Sequence, residues 1–144
     1  MPTEKIQAML AELRSERNAT LAALTNISRE ELRYSTGHQR WSSARRVMLR
    51  FGDHLREHAL QVRNVRKLNN DNLTEPQMML AMAEQAWGDL LASVVGLTDE
   101  QLDHVPAPGQ WSVRQVFEHM IKTERDYRQM VEKAASGKVI EPGE

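Results

Sequence analysis

The stretch His54-Leu55-Arg56-Glu57-His58 carries two histidines at i and i+4. On a helix this spacing puts both imidazoles on one face, where they can ligate a single metal ion. Val47, Phe51, Val62 and Val65 predict the buried face of that helix, and His54 and His58 continue its line. Imidazoles directed into a core need partners, because burying unpaired polar groups costs roughly a few kcal/mol. A metal is one such partner; a hydrogen bond in the core, or partial exposure, is another. A metal also needs a third ligand. His119, beside Val116, Met120 and Thr123, is expected on or next to the inward face of a second helix. Together His54, His58 and His119 would leave one coordination position open, the arrangement of catalytic zinc sites. A lone inward histidine also serves as a hydrogen-bonded core residue. His38 and His104 fall in loops, where solvent exposure is expected.

Composition narrows the chemistry. There is no cysteine among the 144 residues, which excludes disulfides, thiolate zinc sites, iron–sulfur clusters and cysteine nucleophiles. Any metal must be held by His, Asp and Glu. Net charge is −1, so the chain as a whole is no polyanion binder. Hydrophobic residues at 40% and charged residues at 27% predict a folded domain. No signal core or membrane-length apolar run is present, and the expectation is a cytoplasmic protein.

The elements that must hold these histidines are helices. Aromatics are few, at 5%, and apolar residues recur at helical spacing. Ile6, Met9, Leu10, Leu13, Leu21 and Leu24 predict a first helix with Thr3 as N-cap. A second runs from about Ser42, its expected cap, to Leu68 and stops in Asn69-Asn70-Asp71-Asn72. A third starts at a capping box of Thr74 and Gln77, with a Leu73–Met78 staple and Pro76 in the first turn. Its stripe is Met79, Met82, Ala83, Ala86, Trp87, Leu90, Leu91 and Val94. A fourth runs from about Ser112, boxed with Gln115, to Ala135 and stops at Ser136-Gly137; Trp111 can staple onto Val116. Residues 137–144 are expected to be a disordered tail.

The helices repeat. Trp41-Ser42 and Trp111-Ser112 lie 70 positions apart. The same offset pairs Ile27-Ser28-Arg29-Glu30-Glu31-Leu32 with Leu97-Thr98-Asp99-Glu100-Gln101-Leu102, two short capped turns. Each half reads as long helix, short turn, loop, tryptophan, long helix, with halves about 1–70 and 71–136. Two such helical hairpins predict an all-α four-helix bundle over 1–136.

At these residues the chain resembles the DinB-like proteins, metal-binding four-helix bundles. Trp111-Ser112-Val113-Arg114-Gln115-Val116-Phe117-Glu118-His119-Met120, followed by Thr123-Glu124-Arg125, is similar to the family's Trp-Ser helix start with one metal histidine eight residues on. Asp53 to Gln61 is similar to its second signature, His-x-x-x-His with Gln three residues later. In the family's usual order the single-histidine helix precedes the paired one; here the order is reversed. A pseudo-twofold relating the halves would preserve the relation among the three histidines. At the repeat offset His119 aligns with Leu49, and His54 and His58 with Glu124 and Arg128, so one metal site is expected, not two.

The resemblance implies a divalent metal, zinc or nickel, and a homodimer. It implies a transferase using a low-molecular-weight thiol, or a hydrolase. Such a metal would lower the pKa of bound water or of an incoming thiol. With no cysteine in the chain, the thiol must arrive as cosubstrate. Glu57 and Asp53 are candidates for orienting the imidazoles; Glu57 and Glu124 are candidates for a catalytic base. The alternative is a non-catalytic metal-binding bundle, dimerised through Met78, Met79 and Met82.

Two further readings compete. His54-x-x-Glu57-His58 matches the inverted zinc-protease pattern, but that pattern belongs to much larger α/β enzymes. Arg40 to Lys67 carries a net charge of +6, leaving −7 for the rest. A basic stripe beside a metal suits an anionic small-molecule substrate; nucleic acid is the weaker partner. An arginine-rich solvated helix balanced by acidic neighbours accounts for the same charge.

Overall fold

A computed structural model describes residues 3–144. The described chain is all-helical, with an isolated bridge between Ser35 and Ser43 outside the helices. Its elements are α1 (Glu4–Leu24), a 3₁₀ turn (Glu31–Arg33), α2 (Ala44–Leu68), α3 (Glu75–Ser93), α4 (Asp99–Leu102) and α5 (Val113–Gly137). No described helix is long and apolar enough to cross a membrane. The chain divides into two units, Met1–Gly96 and Leu97–Glu144, described separately below.

In the first unit, α1 begins at Thr3, which occupies the N-cap position without a side-chain cap bond. Ser28 and Glu31 form the expected reciprocal pair: the Ser28 N–H donates to Glu31 Oε2 (2.6 Å) and the Glu31 N–H to Ser28 Oγ (3.1 Å). The turn they start is 3₁₀ and packs on α2. The cap of α2 is Ser43, not Ser42: Ser43 Oγ accepts from the Arg46 N–H. Neither serine is followed three residues later by Glu or Gln, so no capping box chooses between them. Ser42 instead accepts the Thr36 N–H with its carbonyl, and the Ala44 N–H donates to the Tyr34 carbonyl.

The end of α2 follows the asparagine cluster. Asn70 adopts φ +54°, its N–H bonds the Lys67 carbonyl, and the Asp71 N–H bonds the Arg66 carbonyl. This is a complete Schellman ending, with Asn in the left-handed position that Gly usually takes. Arg66 adds an ion pair to Asp71 at 2.7 Å. The expected buried face of α2 is only half realised. Val47 and Phe51 are half-buried, whereas Val62 and Val65 are exposed. The element of this unit that packs on α2 is the 3₁₀ turn, and the half-buried residues gather in the first turns of the helix. α3 starts with its predicted box, Thr74 with Gln77, and Pro76 in the first turn.

In the second unit, Thr98 and Gln101 form a capping box that starts α4. Ser112 and Gln115 form another that starts α5. Ser112 is buried, 5% exposed, so its hydroxyl and N–H are satisfied within the box (3.2 and 2.9 Å). Arg114 in the first turn of α5 pairs with Asp103, which follows α4, and α4 packs on α5.

Candidate functional site

The paired histidines stand one turn apart on α2, as the spacing requires. Their Nε2 atoms lie 2.9 Å from each other, and the rings meet edge to face with centroids 4.4 Å apart. His58 Nδ1 is 2.7 Å from Gln61 Oε1. An amide oxygen only accepts, so His58 carries a proton on Nδ1 and, as a neutral ring, an open lone pair on Nε2. The His54 Nε2–H then donates to that lone pair. Gln61, one turn further along the same face, therefore fixes the tautomer that exposes the ligating nitrogen of His58.

This geometry fits a divalent ion. With metal–nitrogen bonds of about 2.05 Å, two ligands are ~2.9 Å apart at a right angle and ~3.3 Å apart in a tetrahedron. The observed separation matches the first and reaches the second by a small opening of the two rings. His54 would carry its proton on Nδ1 when both Nε2 atoms ligate. Among the described residues, no group of three or more His, Asp or Glu side chains is arranged to hold an ion; His54 and His58 are the pair brought together.

Both histidines are exposed, in contrast to the expected inward placement. Half-burial in the first turns of α2 ends at Phe51 and Gly52, and the histidine rings that follow stand in solvent. The carboxylates expected to orient them face elsewhere. Glu57 is held by Arg50 through two bonds of 2.7 and 2.6 Å. That hydrogen bonding keeps its carboxyl below the ordinary carboxylate value, with smaller help from the charge of Arg50 and the two histidines. A carboxylate so stabilised is a poorer base. Asp53 lies 3.5 Å from Arg56. The side chain that contacts His58 is instead Gln61, to which the sequence reading gave no role; its place at the end of the His-x-x-x-His-x-x-Gln run was the available signal.

His119 belongs to the second unit and to α5. Its ring lies against Trp111, with centroids 5.2 Å apart at 57°. Glu124, five residues further on, is exposed. Of the two loop histidines, His38 has a role that spacing did not reveal. Its Nδ1 accepts the N–H groups of Arg40 (3.2 Å) and Trp41 (3.0 Å). The short separation, two and three residues ahead of those donors, was the available signal.

Among family models, residues 82–143 match the DinB superfamily. No match was found among curated proteins or among solved structures. The matched segment holds Trp111, Ser112 and His119, and His54 and His58 lie outside it. The match covers 62 of the 144 residues, and over that part the all-helical chain, with its Trp-Ser start to α5, is similar to the DinB superfamily.

Proposed function

We propose that this DinB-like chain binds a divalent metal through His54 and His58, and that the metal serves a transferase using a small-molecule thiol, or a hydrolase. The observation that carries the reading is the 2.9 Å approach of the two Nε2 atoms with Gln61 holding the opposite nitrogen of His58. His119 is retained as third ligand on the sequence resemblance alone. Zinc or nickel suits imidazole ligands. When bound, such an ion supplies a lowered pKa to water or a thiol. His54 and His58 hold it, and Gln61 keeps the His58 lone pair directed outward. The absence of cysteine means a thiol nucleophile is a cosubstrate, which suits the reducing cytoplasm.

The test is titration of chelator-treated protein with zinc and nickel, followed by calorimetry and elemental analysis. Binding of one ion per chain is expected. His54→Ala and His58→Ala should each weaken it by at least about 100-fold, beyond the 10–100-fold of losing an orienting partner. Undiminished metal in His119→Ala would remove that residue from the ligand set. Metal content unchanged in His58→Ala would overturn the whole reading.

A second reading, a non-catalytic metal-binding homodimer, is favoured by the exposed methionines of α3: Met78, Met79 and Met82 are 50–69% exposed. Flexible thioether side chains at helical spacing suit a partner helix. Concentration-dependent sedimentation tests the dimer. A metal that raises the melting temperature without supporting turnover of any thiol or ester substrate would favour this reading.

A further inference from the structure

The loop before α2 is built to hold one tryptophan. His38 Nδ1 takes the N–H groups of Arg40 and Trp41, and the Thr36 hydroxyl donates to the Trp41 carbonyl. Gly37 turns the chain at φ +74°, a region that disfavours side chains. Trp41 so placed forms one wall of a wide-open surface cavity of about 390 Å³, lined also by Arg40, Val47, Arg50, Phe51 and His54. That volume is in the range of small-molecule sites.

The lining has two characters. Trp41, Val47 and Phe51 are half-buried and give an apolar surface. Arg40 and Arg50 bring their guanidinium carbons to 4.9 and 5.3 Å from the Trp41 ring. Arg50 is already occupied by Glu57. Arg40 forms no ion pair among the described residues. Stacking uses the flat face of a guanidinium and leaves its N–H edge free for a carboxylate. The fold itself does not require these charges: at the repeat offset Gln110 stands for Arg40, Met120 for Arg50 and Glu124 for His54. The same Trp-Ser loop in the other half lacks both cations.

We propose that this cavity beside His54 binds a small organic carboxylate with a flat apolar body. Arg40 takes the carboxylate, and Trp41, Val47 and Phe51 take the body. That the ligand is a substrate rests on the metal reading above; that it binds does not.

The probe is benzoate, titrated into the metal-free full chain with chelator present, reading the indole N–H resonance of Trp41. A saturable shift is expected. Benzamide, of the same shape without charge, should bind about tenfold more weakly, the loss of one charge-assisted hydrogen bond. Arg40→Gln, the residue the other half carries, should weaken benzoate by about the same factor. Glu57→Gln releases Arg50 and should tighten benzoate several-fold. A Trp41 resonance that does not respond saturably overturns the proposal. So does a response indifferent to benzamide in place of benzoate and to Arg40→Gln. Zinc titration of the same sample reports separately on the metal reading, so either can fail alone.

Discussion

The two halves of this chain use one scaffold to present different chemistry. Each sets a short turn through a reciprocal pair, Ser28 with Glu31 and Thr98 with Gln101, and each reaches a tryptophan nine residues after the matching leucine. Beyond that point they part. In the first half Trp41 meets Arg40 and Arg50, and the helix goes on to His54, His58 and Gln61. In the second half Trp111 meets His119, and the positions of the pair and its amide hold Glu124, Arg128 and Val131. The turn-and-cap signals that make the helices are shared; the side chains that could bind a ligand are not.

The largest test of that contrast makes the first half resemble the second at one atom pair. Gln61→Val installs the residue of the other half and removes the acceptor on His58 Nδ1. Losing an orienting partner typically costs about 10–100-fold in metal affinity. Zinc titration of Gln61→Val should show a loss in that range with helicity unchanged. An unaltered affinity would mean that the contact to Gln61 is not what prepares the ring.

The helices and three of their starts were legible in the residues, because capping boxes are local: Thr74 with Gln77, Thr98 with Gln101 and Ser112 with Gln115 all close within one turn. The i,i+4 histidine pair was legible for the same reason. What spacing did not reveal depends on choices between equivalent neighbours. Ser42 and Ser43 are equally able caps, and the bridge between Ser35 and Ser43 settles which is used. Glu57 lies one residue from His58, yet Arg50 lies seven residues before it and takes its carboxylate through a long side chain. The apolar pattern of α2 runs on past its covered part, to Val62 and Val65, which are exposed. Amphipathic pattern states which face seeks cover, and what covers it is a tertiary matter.

The caps offer the next, smaller test. Ser112 is buried, and its box with Gln115 satisfies two donors; Ser43 accepts a single bond of 3.4 Å and has no partner returning to it. Replacing an N-cap serine by alanine costs between about 0.5 and 2 kcal/mol. Ser112→Ala should fall toward the upper part of that range and Ser43→Ala toward the lower, in urea unfolding followed by helical circular dichroism. Equal losses would show that the second half is no more firmly capped than the first.

The smallest effect concerns one ion pair in each half. Arg50 holds Glu57 in the first and Arg114 holds Asp103 in the second, and each hydrogen bond keeps its carboxyl below the ordinary value, 4.5 for Glu and 3.8 for Asp. A carboxyl depressed in the folded state is more ionised there than in the unfolded chain. Its stabilisation is therefore complete above the unfolded value and is lost as pH falls through the lower folded value. Wild type should exceed Glu57→Gln in stability by a constant margin at neutral pH, and the margin should shrink below about pH 4.5. For Asp103→Asn the shrinkage should begin only below about pH 3.8. Both carboxylates are exposed, so the margins are small and added salt should reduce them. A margin for Glu57→Gln that grows on acidification would mean that Arg50 does not stabilise the ionised carboxylate. The first half would then have two free cations beside Trp41 instead of one.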